Sequence, residues 1–417
     1  MEQKCIKLKN MDLYFVKTEK FKSIDVEIFF CGDVSKKEIT WRNVLMDILL
    51  YANKKYPSKR ELSLRTDELY SLFLHTSNMR FGNNIISKIG VSFLNPKYTE
   101  ESMFEDSLNL LRDVIFDPLV NDGHFNKEYL DLIKNEHCAD TKTISENPRA
   151  YSQIALLENM DDGKPYNFTG YSDLDELDKI NEFNLYRYYE EFFKNNRVFA
   201  IIVGDCDEEK IVNYFDKNFL INNRFSTKDI VITHDVIKEE SKVVIEDGDY
   251  QQSKLAIAFK WQALTDFEYR YVMNIYNSIL GSGIDSKLMQ HIREQNSLAY
   301  YIYSSISKAD QLMFINSGIN SKNYEQVIEL IKVAMNELKA GNITDEEINK
   351  GKMDYITAFD TAMESASGYI DIVLGQILFD ADTVSKRKEE IMKVTKEDIM
   401  KLASKIHMDT IYLLRGE

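Results

Sequence analysis

The sequence predicts an α+β protein with two homologous domains of about 200 residues, each an antiparallel-rich sheet packed against helices. The chain has 417 residues, 44% of them hydrophobic, which is enough apolar material for more than one core. Each half begins with strand-like alternation, continues with helical spacing and closes with a short apolar run. One plan used twice therefore explains the order of elements along the chain.

The first half opens with two strands and then turns helical. Residues 24–30 alternate between apolar and polar, as expected for a strand with one buried face. Val44, Leu45, Ile48 and Leu49 then form a helical stripe. The predicted elements are strands at 13–16 and 24–30, helices at 41–52 and from 57 to about 74, a hairpin at 79–81 and 85–93, several helices from 101 to about 195, and a buried strand at 197–204.

The second half repeats this order. Its predicted elements are strands at 241–245 and 253–259, helices at 267–280 and 286–293, paired strands at 298–305 and 311–318, helices at 324–340, 344–363, 366–379 and through the 380s to 406, and a strand at 410–414. The joint lies near 222–229, a polar stretch without periodicity. We therefore predict domains at 1–225 and 226–417.

Charge and cysteine content limit the partners and the compartment. A net charge of -16 and the lack of a basic stripe disfavour nucleic acid; the acidic surface either attracts a basic peptide or merely keeps the protein dispersed. Cys5, Cys31, Cys138 and Cys206 are far apart, so reduced thiols are expected. We find no signal peptide and no run of membrane-spanning length, and we expect a cytoplasmic protein without a membrane partner.

The most informative segment is 293–300, which reads Arg-Glu-Gln-Asn-Ser-Leu-Ala-Tyr. Arg293 ends a predicted helix and Tyr300 begins a strand, so that both side chains can donate to one peptide carbonyl or oxyanion. Alternatively, Arg293 stabilises the end of the helix and Tyr300 packs in the sheet. Gly281 and Gly283 before this segment are interpreted as turn residues, since no lysine follows them at the spacing of a phosphate loop.

The segments 280–293 and 298–301 resemble the insulinase/pitrilysin family of zinc peptidases, including its processing-peptidase branch, and the similarity covers nearly the whole chain. The resemblance implies two domains arranged as a clamshell, with Arg293 and Tyr300 binding and polarising the substrate. Residues 17–22, 54–57 and 67–70 further resemble the YmfF-like bacterial branch, which is usually paired with a zinc-bearing sister.

The zinc motif of that family, H-x-x-E-H on the first long helix, is missing. The resemblance places Asn43 and Asp47 at the two histidines and Met46 at the glutamate that activates water. Asparagine is a poor zinc ligand, and methionine cannot take a proton from water. Glu136 falls near the place of the third ligand, either as a relic or as a chance surface residue.

A metal site elsewhere in the chain is disfavoured by the histidine spacing. No two of the six histidines stand at a distance that puts both on one helical face. His137, beside Glu136, is interpreted as ordinary surface or partial core, because adjacent helical residues point about 100° apart. We therefore predict no cofactor in this chain.

Two hypotheses follow from the resemblance. In the first, this chain is the non-metal subunit of a heteromeric zinc peptidase: an H-x-x-E-H sister supplies zinc and the base, and Arg293 and Tyr300 bind a peptide substrate in a closed chamber. Alone it would be inactive. In the second, it is an inactive structural or peptide-binding subunit. Pairing of the chain with itself is left open.

Overall fold

A computed structural model describes residues 3–100, 103–221, 230–234, 237–261 and 263–416. The predicted joint at 222–229 lies outside these residues, and the boundary at 225/226 stays a prediction. The chain forms two compact units, each drawn from three segments. The first unit comprises Met1–Lys142, Gly170–Ile230 and Ala362–Phe379, and the second comprises Thr143–Thr169, Val231–Thr361 and Asp380–Glu417.

The elements up to residue 218 include those that the sequence predicts, together with a first strand, a short hairpin and a last helix that it does not. They are β1 (Gln3–Lys7), β2 (Asp12–Lys17), β3 (Ser23–Asp33), α1 (Lys36–Tyr51), α2 (Lys59–Glu68), β4 (Phe73–Phe81), β5 (Asn84–Leu94), α3 (Met103–Phe116), β6 (Val120–Asn121), β7 (His124–Phe125), α4 (Lys127–Lys142), α5 (Pro148–Glu158), α6 (Leu174–Lys179), α7 (Glu182–Phe192), β8 (Arg197–Gly204) and α8 (Glu208–Asn218).

The remaining elements repeat that order. They are β9 (Lys242–Asp247), β10 (Ser253–Trp261), α9 (268–282, with π-helical turns at both ends), a π-helical turn at Met289–Glu294, β11 (Ala299–Ser307), β12 (Leu312–Ile319), α10 (Tyr324–Ala340), α11 (Asp345–Ala362), α12 (Ala366–Phe379), α13 (Val384–Ile391), α14 (Lys396–Ala403) and β13 (Ile406–Arg415).

The two large sheets have the same topology. In the first unit the strand order is β4-β5-β3-β8-β2-β1, and in the second it is β11-β12-β10-β13-β9. Neighbouring strands are antiparallel except for one parallel pair in each sheet, β2 with β8 and β9 with β13, which occupy equivalent places. The prediction of two homologous domains, each with an antiparallel-rich sheet packed against helices, is confirmed.

Helices pack on both faces of each sheet, and on one face of each the helix comes from the other half of the sequence. On β3, Ile28 belongs to the core shared with α1, whereas Phe29 packs with Val373 of α12 on the opposite face. In the second unit, Leu156 of α5 packs with Tyr412 of β13. Thus α5, which follows α4, covers the second sheet, and α12, which follows α11, covers the first.

The structure corrects the predicted second helix. The helix predicted from 57 to about 74 ends at Glu68, because Tyr70 and Ser71 adopt positive φ angles of 58° and 56°. The chain then enters β4 at Phe73, which pairs with β5. Hairpin pairing with the next strand therefore overrides the local helical spacing. No helix of the described residues is long and apolar enough to cross a membrane.

Candidate functional site

The helix α1 carries the three residues that the resemblance places at the zinc motif, and they differ in burial. Ser35 caps the helix by accepting a hydrogen bond from the backbone N of Glu38 at 3.0 Å. Met46 is 1% exposed and lies within the apolar core. Asn43 and Asp47, four residues apart, are less buried and share one side of the helix. The two residues predicted at the ligand positions thus share a face, whereas the residue predicted at the position of the base is a core side chain.

The amide of Asn43 is used in structural hydrogen bonds. Its Nδ2 donates to the backbone O of Gly170 at 3.0 Å and lies 3.4 Å from Oγ of Ser172. Its Oδ1 accepts from Nδ2 of Asn78 on β4 at 2.9 Å. Asn43 therefore ties α1 to β4 and to the segment 170–172.

Asp47 is approached by a histidine of α4. Nε2 of His137 lies 2.9 Å from Oδ2 of Asp47. Glu136 is exposed, so α4 brings His137, and not Glu136, to α1. This contact is not predicted from the sequence, although a signal for it exists: His137 stands one helical turn after Ile133, which is buried.

These side chains do not fit a zinc ion. Asp47 and His137 are two ligands, and a catalytic zinc needs three from the protein. Within the part of the chain that the structure describes, no group of three His, Cys, Asp or Glu side chains could hold a metal ion. Buried Met46 supplies no base. We therefore derive no metal-dependent step from this chain's own residues.

Arg293 lies in the π-helical turn Met289–Glu294 of the second unit. Ile292 is fully buried and anchors this turn. The backbone N of Ser297 donates to O of Arg293, and the backbone N of Leu298 donates to O of Ile292, both at 2.9 Å. These bonds set the path of the chain from the turn to β11. Turns of this type recur at functional sites.

Among the described residues, the guanidinium of Arg293 has only long contacts. Its side chain is 49% exposed, its Nε is 3.8 Å from Oε1 of Glu294, and its Nη1 is 3.9 Å from Sδ of Met289. A neutral or anionic acceptor therefore has free N–H donors to bind.

Tyr300 is the extra residue of a β-bulge. Ala299 pairs with Ile319 and Tyr301 pairs with Gly318, so the register shifts across Tyr300. Its side chain is 69% exposed, on a strand at the edge of the sheet. A bulge re-aims a side chain that regular pairing would place within the pleat. The structure therefore disfavours the alternative in which Tyr300 is simply a packed residue of the sheet.

The tyrosines that follow Tyr300 are engaged in packing. The guanidinium of Arg149 on α5 lies 5.0 Å from the ring centroids of both Tyr301 and Tyr303. Nε2 of Gln153 donates to the hydroxyl of Tyr303 at 3.0 Å. Tyr300 is therefore exposed, whereas Tyr301 and Tyr303 are held by contacts with α5. Substitutions of these two tyrosines serve as controls for substitutions of Tyr300.

Gly281 allows α9 to approach the strand that carries Tyr300. It lies in the last, π-helical turn of α9, so its interpretation as a turn residue outside a helix is wrong. A Cβ at this position would come within 2.6 Å of Oγ of Ser304 on β11 and 2.7 Å of Cδ1 of Leu288. Only glycine fits here without displacing these atoms. The arrangement as a whole offers the N–H donors of Arg293 and the O–H donor of Tyr300 to solvent.

Three comparisons place this geometry among known proteins. The family model described as "Peptidase M16 inactive domain" matches residues 179–355. The chain is 28% identical to the "Probable inactive metalloprotease YmfF" of Bacillus subtilis (strain 168), over 97% of this chain and 95% of that protein. It is 22% identical to the "Uncharacterized zinc protease YmxG" of the same organism, over 63% and 62% of the two chains. The crystal structure of a conserved protein from Enterococcus faecalis V583 superposes with a TM-score of 0.91 at 24% identity, over 100% and 99% of the chains.

Proposed function

This chain is a YmfF-like member of the insulinase family, and on that premise we propose that it is the non-metal subunit of a two-chain zinc peptidase. In this proposal the partner carries the H-x-x-E-H motif and supplies the zinc ion and the general base. This chain supplies the hydrogen-bond donors of Arg293 and Tyr300. The reaction is hydrolysis of a peptide bond within a closed chamber.

The observation that carries the proposal is the contrast between the two parts of the site. At the motif, Asn43 is held by structural hydrogen bonds and Met46 is buried in the core. Arg293 and Tyr300, however, present donors to solvent from a turn and a bulge of defined path. Substrate-binding groups without catalytic groups fit a subunit whose catalytic groups come from another chain.

A peptide substrate also fits the sheet edges. Tyr300 lies on β11, an edge strand whose outer backbone groups have no partner among the described strands. An extended peptide can add to such an edge by main-chain hydrogen bonding. We further propose a cytoplasmic location, supported by four cysteines that form no disulfide and of which Cys31 and Cys206 are buried.

The test is a peptide-cleavage assay with this chain alone, with an H-x-x-E-H sister alone, and with both. The proposal expects activity only in the mixture and stoichiometric zinc only in the sister. Arg293→Ala and Tyr300→Phe should each lower kcat/KM of the mixture by about 100-fold, because each removes one donor to the oxyanion. Tyr301→Phe is the matched control and should leave kcat/KM within about twofold.

The second candidate is an inactive structural or peptide-binding subunit. The degenerate motif and the open strand edge support this alternative as much as they support the first proposal. Under this alternative, the Arg293 and Tyr300 variants leave cleavage by the complex unchanged. Co-sedimentation of the two chains must accompany the assay, so that lost activity is not confused with lost assembly.

A further inference from the structure

The outer edge of the second sheet lacks the cover that its counterpart has. In the first sheet, β1 pairs antiparallel with β2 and forms the edge. In the second sheet, β9 is the equivalent of β2, because each is the strand parallel to the closing strand of its unit. Among the described strands, β9 pairs only with β13 and leaves its other side open.

The apolar side chains at these two edges differ in burial. In register with β8, Leu13 and Phe15 of β2 are 0% and 2% exposed. On β9, which pairs with β13 in the way that β2 pairs with β8, Val243 and Ile245 are 51% and 47% exposed. Two branched apolar side chains side by side on an open strand form a patch that single exposed residues do not.

The first unit explains what covers such a patch. Leu13 and Phe15 share a core with Ile211 and Phe215 of α8, and Ile6 of β1 packs against it. In the second unit, no described element takes the place of α8 or β1 beside β9. The duplicated fold thus leaves room for one strand and an apolar surface at this edge.

We propose that a second copy of this chain docks along β9, with the two β9 strands antiparallel about a two-fold axis. Such an axis makes the interface self-complementary, since each contact occurs twice. It also removes an open sheet edge, which in a soluble protein is a site for further pairing.

The sequence of β9 complements itself in this arrangement. Val243 and Ile245 lie on one face of the strand, and Lys242, Val244 and Glu246 lie on the other. An axis through Val244 sets Val243 opposite Ile245 of the other copy and Lys242 opposite Glu246. Apolar side chains then meet apolar ones and opposite charges face each other, which is the favourable pattern for cross-strand pairs.

The acidic member of that charge pair is held in place within each copy. The carboxylate of Glu246 accepts hydrogen bonds from the hydroxyls of Tyr151 and Tyr412 at 2.8 Å and 2.6 Å. Lys242 is exposed, and its Nζ donates to the backbone O of Asn159 at 2.6 Å. A carboxylate fixed at the edge loses little conformational entropy when it meets a lysine of the second copy.

The proposal is tested by sedimentation velocity of the full chain over a range of concentrations. The wild type should dimerise, and Lys242→Glu should raise the dimer dissociation constant about tenfold, since both symmetric Lys–Glu pairs become repulsive. Glu246→Lys should do the same. An equimolar mixture of the two variants should restore dimerisation, because each lysine again faces a glutamate.

A second variant removes the dependence on Glu246, whose loss also disturbs the tyrosines. Val243→Lys with Ile245→Lys should raise the dissociation constant by about 100-fold, because two charges replace the apolar pairs in each copy. Val333→Lys on α10, where valine is similarly exposed at 45%, is the matched control and should leave dimerisation unchanged. Two results would overturn the proposal. One is a wild type that stays monomeric at 100 times the lowest concentration of the series, and the other is a dimer whose dissociation constant neither the charge variants nor the double lysine variant changes.

Discussion

Replacing Met46 with glutamate, which restores the residue of the family's zinc motif that activates water, is expected to unfold the first unit at neutral pH. Met46 is 1% exposed and packs in the core beneath the sheet. Asn43 and Asp47 are less buried, so histidine at those two positions is expected to be tolerated far better. The barrier to restoring the motif therefore lies at position 46.

The expected loss of stability in Met46→Glu is the sum of two contributions. Loss of the buried thioether chain removes about 1.5–3 kcal/mol of apolar burial. A buried carboxyl stays neutral, and holding a group of ordinary pKa about 4.3 protonated at pH 7 costs about 3.7 kcal/mol. The expected loss is about 5–7 kcal/mol, comparable with the whole stability of a typical domain.

The pH dependence of this loss has a defined sign. The folded state raises the pKa of the buried carboxyl above its unfolded value, so the penalty grows as pH rises above that value. At pH 5 the protonation contribution falls to about 1 kcal/mol. The difference in the free energy of unfolding between wild type and Met46→Glu should therefore be about 2.7 kcal/mol smaller at pH 5 than at pH 7.

The assay is urea unfolding followed by tryptophan fluorescence. The chain has two tryptophans, and Trp41 lies on α1 of the first unit, so a Trp261→Phe background makes the signal specific to that unit. Met46→Leu is the control and should cost less than about 1.5 kcal/mol. A Met46→Glu variant within about 1 kcal/mol of Met46→Leu at both pH values would refute the placement of Met46 in the core.

Three further predictions concern the second unit. Burial raises the pKa of Asp161, but the nearby ammonium of Lys260 outweighs burial and lowers this pKa to about 2. Asp161→Asn should therefore lower the free energy of unfolding by about 2 kcal/mol at pH 7. This loss, measured by urea unfolding, should vanish as pH falls from 4 to 2. Burial, together with nearby arginines, lowers the pKa of Lys308 to about 7. Lys308→Met should therefore raise the free energy of unfolding by about 1 kcal/mol at pH 7. This gain, measured by thermal unfolding, should disappear near pH 10.5. Gly281→Val should lose about 3 kcal/mol in thermal unfolding, because its Cβ would clash with Ser304 and Leu288; Gly170→Val, whose Cβ would meet no atom within 4 Å, is the comparison.

Element positions followed from the sequence wherever the local pattern was strong. The apolar run of β8 and the amphipathic helix α10 were predicted with the bounds that the structure shows. The helix α10 stops at Gly341, which adopts a φ of 76° that other residues rarely tolerate. The end of α2 was missed, because Tyr70 and Ser71 carry no such signal in their side chains.

The candidate site was predictable in its residue types and not in its contacts. The resemblance places Asn43 and Asp47 of α1 where the family has its two histidines and Met46 where it has its glutamate, and this placement needs only the sequence. The approach of His137 to Asp47 depends on how α4 packs against α1, which joins residues far apart in the chain. No local pattern reports such a distance.

By itself, the sequence determined the order of strands and helices, their repetition in two halves, and the chemistry available at each position, since these depend on side-chain type and local spacing. Only the tertiary structure decided that α5 and α12 each cover the sheet of the other half, and that a bulge turns Tyr300 out of the pleat. Both depend on contacts between distant residues: a sheet face is buried by whichever helix packs against it, and a bulge exists only in the register of two paired strands.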